Sequence, residues 1–222
     1  MRRFSYHALN LGWDARLMIK GQAVDLCPSI AELLKPGEDE VIHKKWNARN
    51  DNPDRDGSIE KMLQTWLAGS ARSSGHRLAI FGDDFIYGPK KSPAKVLREI
   101  PTGVFSGTIK EDHRILPTYW VDLVTLNRFG HLAVIELKVN DNKLDILAQA
   151  LDYALFFRTY RSQLFRSPEL EFAQESKGPI EIYLTSNVFH PRFDSAAGHL
   201  SPRGSGWGFR FKKIALGSIS EL

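Results

Sequence analysis

The segment Tyr119–Val139 reads YWVDLVTLNRFGHLAVIELKV, and its pattern decides the fold. Two runs rich in aliphatic residues flank a polar turn, which predicts two β-strands joined as a hairpin. Asp122 lies on the first run, while Glu136 and Lys138 lie on the second. Because every second side chain of a strand points to the same face, Glu136 and Lys138 must project together. Two acids and a lysine on one patch are the groups needed for metal-assisted hydrolysis of a phosphate ester.

The turn between the two runs predicts how the strands pair. Its residues fit a three-residue loop that is closed by Gly130, because glycine adopts a positive φ without steric cost. This loop pairs Asn127 with His131 and, counting outward, Asp122 with Glu136. A loop that is one residue shorter or longer would send Asp122 to the opposite face. The predicted register therefore brings the two acids together.

Two carboxylates this close repel each other unless a positive charge lies between them. The repulsion at about 4 Å is roughly 4 kcal/mol at an effective dielectric of about 20. The conflict is also removed if one carboxylate stays protonated, if Lys138 is the counter-ion, or if the strands are solvated edges. The flanking residues are apolar on both faces of both runs, which is typical of buried strands and disfavours a solvated edge. We therefore favour a metal site, with the other two alternatives still open.

Length and composition are those of an ordinary globular protein. The chain has 222 residues and a formal net charge of +4, which suits one domain with or without a small extension. This mildly basic charge permits a nucleic-acid partner without demanding one. The single cysteine, Cys27, excludes an intramolecular disulfide and favours a reducing compartment. No apolar run is long enough for a signal peptide or a membrane span, so we expect a cytoplasmic protein without a membrane partner.

The chain divides into a predicted N-terminal extension, residues 1–50, and a main domain, residues 51–222. Within the extension, Ala15–Lys20 and Ala23–Leu26 predict two strands around a turn. The polar run Asn47–Gly57 predicts a solvated loop, since its spacing does not match a calcium-binding loop.

An amphipathic helix is predicted over Ser58–Leu67, where Glu60 suits the dipole of the first turn. This favourable interaction with the helix dipole would by itself explain why a glutamate occupies position 60. The apolar positions of this helix recur at helical spacing, which predicts one buried face. They are Ile59, Met62, Leu63, Trp66 and Leu67.

The remaining segments predict further helices and strands around the hairpin. A short helix is expected over Ala94–Ile100, and a long helix capped by Asp141 or Asn142 is expected to run to about Leu164. Gln149 and Tyr153 lie four residues apart and so project from one side of the long helix, although an ordinary solvent-facing glutamine is the simpler account of Gln149. Two later strands are predicted over Ile180–Thr185 and Trp207–Ile214.

The order helix, strand pair with D…ExK, helix with Q…Y, strand resembles the PD-(D/E)xK nuclease superfamily, which has the restriction-endonuclease-like fold. The DUF91-like group is particularly similar, with VDLVTLNRFGHLAVIELKV followed by LDILAQALDYALFF. The resemblance covers about residues 56–190. Val121 stands where the family motif usually has proline. The resemblance implies an α/β fold with a restriction-endonuclease-like core, a mixed central β-sheet flanked by helices. The small N-terminal extension, residues 1–50, lies outside the resemblance.

The resemblance also implies roles for individual residues. Asp122, Glu136 and Glu60, together with the backbone carbonyl of Leu137, would bind Mg²⁺, for which Mn²⁺ would substitute. Lys138 would orient or help deprotonate the attacking water. Catalysis would further involve Gln149, and substrate binding would involve a set of residues near the following helix. This set is Tyr153, Lys143 and Arg158.

These features together predict a metal-dependent nuclease that hydrolyses phosphodiester bonds, with DNA as the expected partner and a homodimer as a permitted state. One alternative is a catalytically inactive module of the same fold that binds nucleic acid or supports assembly. A second alternative is a structural or small-molecule-binding α/β domain, in which the hairpin acids form an ion-pair network with Lys138.

Overall fold

The protein is a mixed α/β structure with a five-stranded mixed sheet and two smaller sheets among its described residues. The computed structural model describes residues 16–19, 22–25, 40–42, 58–73, 78, 96–116, 118–174, 176–200 and 209–217. The expected loop over Asn47–Gly57 lies outside these residues.

Strands and helices are numbered here in chain order over the described part of the chain. The strands are β1 (Arg16–Ile19), β2 (Gln22–Asp25), β3 (Glu40–Ile42), β4 (Leu97–Pro101), β5 (Val104–Ser106), β6 (Arg114–Leu116), β7 (Trp120–Leu126), β8 (Leu132–Lys138), β9 (Ile180–Ser186) and β10 (Phe209–Ala215). The helices are α1 (Ile59–Ser73), α2 (Asp145–Thr159), α3 (Arg161–Leu164) and α4 (Phe193–Leu200). Short 3₁₀ turns occur at Glu111–His113 and Glu171–Ala173.

The central sheet has the strand order β10-β9-β8-β7-β4. Its first half is an antiparallel meander, because β7 pairs antiparallel with both β4 and β8. Its second half is parallel, because β9 pairs parallel with both β8 and β10. The connection from β8 to β9 passes through α2, as a parallel pair requires a crossover. The expected mixed central sheet flanked by helices is confirmed.

Helices α1 and α2 pack on opposite faces of this sheet. Leu123 and Ile135 are buried with Leu67 of α1 in one apolar cluster, whereas Val124 and Val134 are buried with Ala150 of α2 in the other. The alternation of side chains along a strand produces this division. Strands β7 and β8 are therefore apolar on both faces because each face is covered by a helix, as predicted.

The hairpin has the predicted turn and register. Gly130 has a φ of +72°, its N–H donates to the Asn127 carbonyl (2.8 Å), and the Asn127 N–H donates to the His131 carbonyl (2.9 Å). Pairing continues to Leu123 opposite Ile135. The predicted pair of Asp122 and Glu136 is the next step outward, one position beyond the last paired residues.

The N-terminal segments also form strands. Strands β1 and β2 make the expected antiparallel hairpin, although β2 already begins at Gln22. Strand β3 lies within the predicted extension but pairs with β5, and Ile42 is buried in the larger apolar cluster of the main sheet. The Tyr160 hydroxyl also donates to the Glu40 carboxylate (2.7 Å). The division at residue 50 remains a prediction.

Three local predictions are wrong. Residues of the helix expected over Ala94–Ile100 form β4 instead, because Ile100 precedes Pro101 and is thereby driven out of the helical region. The long helix was expected to be capped by Asp141 or Asn142 and to run to about Leu164. It instead starts at Asp145, with Leu144 at its N-cap, and ends at Thr159 before the short α3.

The third correction concerns α1, which is longer than predicted and buries only part of its expected apolar face. Leu63 and Leu67 are buried against the sheet. The other three residues lie on the solvent side of the contact stripe and are exposed. They are Ile59, Met62 and Trp66.

None of the helices in the described ranges has the length and apolar character that crossing a membrane requires.

Candidate metal centre

The candidate site lies where β7 and β8 separate. In a continued antiparallel ladder, Leu137 would be opposite Val121 and exchange backbone hydrogen bonds with it. Instead the Leu137 N–H donates to Oδ2 of Asp122 at 2.7 Å. Strand β8 meanwhile stays paired with β9 as far as Lys138 opposite Ser186. The Asp122 carboxylate thus takes over a ladder hydrogen bond and is held at the opening between the two strands.

Lys138 joins the acids of the site. Its Nζ lies 2.9 Å from Oε1 of Glu136, which confirms that these two side chains project together. The same Nζ lies 3.4 Å from Oε1 of Glu60, on the first turn of α1. Helix α1 thereby brings a carboxylate from more than 70 positions earlier in the chain to the hairpin. We use the term acidic site for Asp122, Glu136, Lys138 and Glu60.

Glu136 is the most buried acid of the site, with 1% of its surface exposed. Its Oε1 bonds Lys138, but its Oε2 is buried and has no hydrogen-bond partner among the described residues. Burial, followed by the nearby charge of Asp122, raises the pKa of Glu136 well above its usual range. An unsatisfied buried carboxylate oxygen is costly, so the site favours a proton or a cation there.

The pKa of Asp122 is also raised. Burial raises the pKa of Asp122 to about 7, even though the Leu137 N–H and the charge of Lys138 stabilise its anion. The charges of Glu60 and Glu99 add to the increase. As a residue, Asp122 is half-buried, whereas Glu136 is fully buried. Without a cation, the two central acids therefore hold protons more tightly than ordinary carboxyls.

For Lys138, the neighbouring negative charges outweigh the effect of burial on the pKa. Burial disfavours its ammonium, but the charge of Glu136 and the hydrogen bond to it outweigh that effect and raise the pKa of Lys138 above its usual value. Asp122 and Glu60 contribute in the same direction. Lys138 is consequently a fixed positive charge at neutral pH.

Gln149 and Tyr153 reach the site from α2. The Gln149 side-chain nitrogen donates to the Tyr153 hydroxyl, which donates to the Trp120 carbonyl at 3.2 Å. Burial and then the charge of Glu136 raise the pKa of Tyr153, so the phenol is neutral. The simple account of Gln149 as a freely solvated side chain is incorrect, because it is partly buried and held by Tyr153.

Two further side chains at the site, Glu99 and Gln64, are not among the residues predicted from the sequence. Glu99 on β4 lies between Arg98 and Ile100, which pair with the residues on either side of Asp122, and its charge raises the pKa of Asp122. Its φ of +50° is unusual for a residue with a side chain. Gln64 on α1 donates to both the carbonyl and the carboxylate of Asp122. Gln64 follows Glu60 by one helical turn, and that spacing could have suggested it once Glu60 was considered.

The two remaining predicted residues are not brought into hydrogen-bond contact with the acidic site. Lys143 is exposed before α2, and its backbone N–H donates to Asp141. Arg158 is exposed in the last turn of α2, nine residues beyond Gln149, which corresponds to about 14 Å along a helix. A role for Arg158 in substrate binding would therefore require a substrate that extends along α2.

The donor atoms suit a hard divalent cation. Because the N–H and C=O of one strand residue point to the same side, the Leu137 carbonyl faces the same gap as the Asp122 carboxylate. Among the described residues, no three His, Cys, Asp or Glu side chains form a group able to hold a metal ion on their own. Mg²⁺ does not require such a cage, because it keeps several waters and uses one or two carboxylates. Glu136 and Asp122 meet that need.

No protein-family model matches this chain, and neither a curated protein nor a solved structure matches it at a significant level.

Proposed function

We propose that this protein is a divalent-metal-dependent nuclease of the PD-(D/E)xK type that hydrolyses phosphodiester bonds in DNA. The observation that carries the proposal is the Glu136 carboxylate, which is buried near Asp122 and Lys138. Its Oε2 has no hydrogen-bond partner among the described residues. A purely structural core has no need for two adjacent acids with raised pKa values. The order α1, β4–β7–β8, α2, β9 agrees with a restriction-endonuclease-like core.

In the proposed mechanism, Asp122, Glu136 and the Leu137 carbonyl would hold Mg²⁺, and Glu60 would join them directly or through water. When bound, the cation would supply positive charge for the phosphate and for activation of water. Metal binding requires ionised carboxylates, so it must displace the protons that Asp122 and Glu136 retain. The separation of β7 from β8, where Asp122 accepts the Leu137 N–H, supports the proposal that the cation binds in this gap.

In this proposal Lys138 acts as a hydrogen-bond donor and a positive charge. In the metal-free protein, its raised pKa keeps the ammonium protonated. Lys138 orients the attacking water or balances the charge of the phosphate. The Gln149 nitrogen is used by Tyr153, which leaves the Gln149 oxygen to accept a hydrogen bond from water or a terminal hydroxyl.

One observation favours a second candidate, a structural ion-pair network without catalysis. Lys138 bridges Glu136 and Glu60 at 2.9 and 3.4 Å, and this pairing neutralises part of the negative charge without any metal. In that case the acids would cost stability rather than bind a ligand, since buried ion pairs are often no better than apolar residues. A catalytically inactive module that binds nucleic acid is the third outcome.

The test combines metal binding with cleavage. We expect the protein to bind Mn²⁺ in titration calorimetry and to cut at least one member of a panel of labelled DNA and RNA structures in Mg²⁺ or Mn²⁺. Lys138→Met should reduce cleavage by at least about 100-fold, within the range for loss of one electrostatic or acid–base group. Its neutral side chain keeps most of the volume of lysine.

Lys213→Met is the matched control, because Lys213 also pairs with a carboxylate, that of Asp194 at 2.8 Å, but on the surface. It should cleave like the wild type. Full cleavage by a clean preparation of Lys138→Met would contradict the proposal. Absence of Mn²⁺ binding, with Glu136→Leu more stable than the wild type, would favour the structural network. Metal-independent DNA binding without cleavage would favour the inactive module.

A further inference from the structure

Gln64 contacts Asp122 at two atoms. Its side-chain nitrogen donates to the Asp122 carbonyl at 2.9 Å and lies 3.3 Å from Oδ1 of the same residue. Gln64 is 3% exposed, so these hydrogen bonds are shielded from water. The two partners are 58 positions apart in the chain, and the contact joins α1 to β7 at the acidic site.

Arg98 determines which way the Gln64 amide points. Its Nη2 lies 3.3 Å from the Gln64 oxygen and donates to the Thr65 hydroxyl at 3.0 Å. A guanidinium has only donors, so it requires the oxygen of the amide on its side. The amide nitrogen is therefore turned toward Asp122.

The Asp122 carboxylate is thus held at both oxygens. The Leu137 N–H bonds Oδ2 and the Gln64 amide bonds Oδ1. Without Gln64, only one of these hydrogen bonds would restrain rotation of the carboxylate. Hydrogen-bond partners of a ligating carboxylate orient it toward the metal. Loss of such a partner typically lowers metal affinity by about 10–100-fold.

We propose that Gln64 is a positioning residue that orients Asp122 for the divalent cation, with Arg98 aligning its amide. This inference rests on the proposed metal-dependent nuclease. Helix α1 then has two roles at the site, since it presents Glu60 to Lys138 and, one turn later, Gln64 to Asp122. Binding of the cation depends in this way on how α1 docks against the hairpin.

The experiment is a Gln64→Met substitution in the full-length chain, which keeps the length of the side chain and removes its donor. We expect the Kd for Mn²⁺ in titration calorimetry to rise about tenfold. The half-saturating Mn²⁺ concentration for cleavage should rise by the same factor, while kcat at saturating Mn²⁺ changes little. A purely structural role would instead lower the melting temperature and leave the half-saturating concentration unchanged.

Gln174→Met is the matched control, because the Gln174 amide donates to the Phe165 carbonyl at 2.7 Å, away from the acidic site. It should leave the Kd unchanged. If Gln64→Met does not fold, Gln64→Asn replaces it, since its shorter side chain withdraws the amide from Asp122 and should also weaken Mn²⁺ binding.

A Kd within twofold of the wild type in the folded variant would overturn the role of Gln64 while leaving the proposed nuclease intact. If the wild-type protein itself neither binds Mn²⁺ nor cleaves, the proposed function fails, and the inference fails with it. The wild-type titration therefore separates the two failures.

Discussion

Among the described residues, Lys138 lies with four carboxylates whose charges act on the site: Asp122, Glu136, Glu60 and Glu99. If all four were ionised, they would outnumber Lys138 by three charges, and this repulsion adds to burial, the larger cause, in raising the pKa values of Glu136 and Asp122. Glu60 and Glu99 contribute to this repulsion. A divalent cation would relieve it more effectively than a proton, because it adds two positive charges to the same space.

Glu99 combines an unfavourable backbone with an unfavourable charge. Its φ of +50° costs a residue with a Cβ about 1–2 kcal/mol. Its charge also acts on Asp122 and adds like-charge repulsion. Strain of this kind is retained where the surrounding structure requires it, and such positions concentrate at functional sites.

A pair of substitutions separates the two costs at Glu99. Glu99→Ala removes the carboxylate but keeps the Cβ, whereas Glu99→Gly removes both. We expect the glycine variant to be more stable than the alanine variant by about 1 kcal/mol, because only glycine accepts this φ without steric cost. Urea unfolding of the metal-free proteins measures the difference. A glycine variant no more stable than the alanine variant would mean that the backbone at residue 99 is not strained.

Among the secondary-structure elements, the β7–β8 hairpin sets the geometry of the site. Its three-residue turn determines which residues face each other, and its pairing ends at Leu123 and Ile135. Beyond that point Asp122 takes the hydrogen bond that the ladder would have used. The register was predictable from sequence because turn type and side-chain alternation are local properties.

Gly130 is required by its backbone conformation and not by lack of space. An added Cβ would meet no atom within 4 Å, but φ is +72°. Gly130→Ala should therefore destabilise the protein by about 1 kcal/mol. Gly69 is the matched control, since it also has no atom within 4 Å of an added Cβ but lies inside α1.

Gly69→Ala should have the opposite sign and stabilise the protein by about 0.5–1 kcal/mol, because alanine is the better helix former. Thermal or urea unfolding of the two variants checks both signs. Equal effects of the two substitutions would show that the turn does not depend on the positive φ.

Two other elements, α1 and β4, are predicted less well from local sequence patterns. The apolar residues of α1 have helical spacing, yet Met62 and Trp66 are exposed while Leu63 and Leu67 are buried. Periodicity identified the helix, but the width of its buried face depends on the neighbour against which it packs. The composition around strand β4 favours a helix, which is why a helix is predicted there. Pro101 nevertheless keeps Ile100 out of the helical region, and the segment forms a strand.

For the molecule as a whole, the raised pKa of Asp122 predicts how stability depends on pH. In the folded protein the pKa is about 7, compared with an ordinary value of 3.8. A carboxyl with a raised folded pKa favours folding below pH 4 and loses that contribution as pH rises through 7, since the folded state holds the proton more tightly. At about 1.4 kcal/mol per unit, this loss is on the order of 4 kcal/mol.

Asp122→Asn should remove the contribution of Asp122 to this dependence, because asparagine does not titrate, while the contribution of Glu136 remains. We expect the difference in unfolding free energy between the variant and the metal-free wild type to grow in favour of the variant from pH 4 to pH 8. Urea unfolding at several pH values provides the measurement. Asp194→Asn is the control, since Asp194 is an exposed acid that pairs with Lys213. A constant difference across this range would contradict the raised pKa.

The sequence by itself was enough for the hairpin, the shared face of Glu136 and Lys138, and the helices that carry Glu60 and Gln149, because these follow from turn chemistry and periodicity within short segments. The tertiary structure decided the parting of β7 from β8, the approach of Gln64 to Asp122, and the strained position of Glu99. Gln64 and Asp122 are 58 positions apart in the chain, and Glu99 reaches Asp122 only through the pairing of β4 with β7. Their energies depend on packing and desolvation in the folded state, for which no local pattern carries a signal.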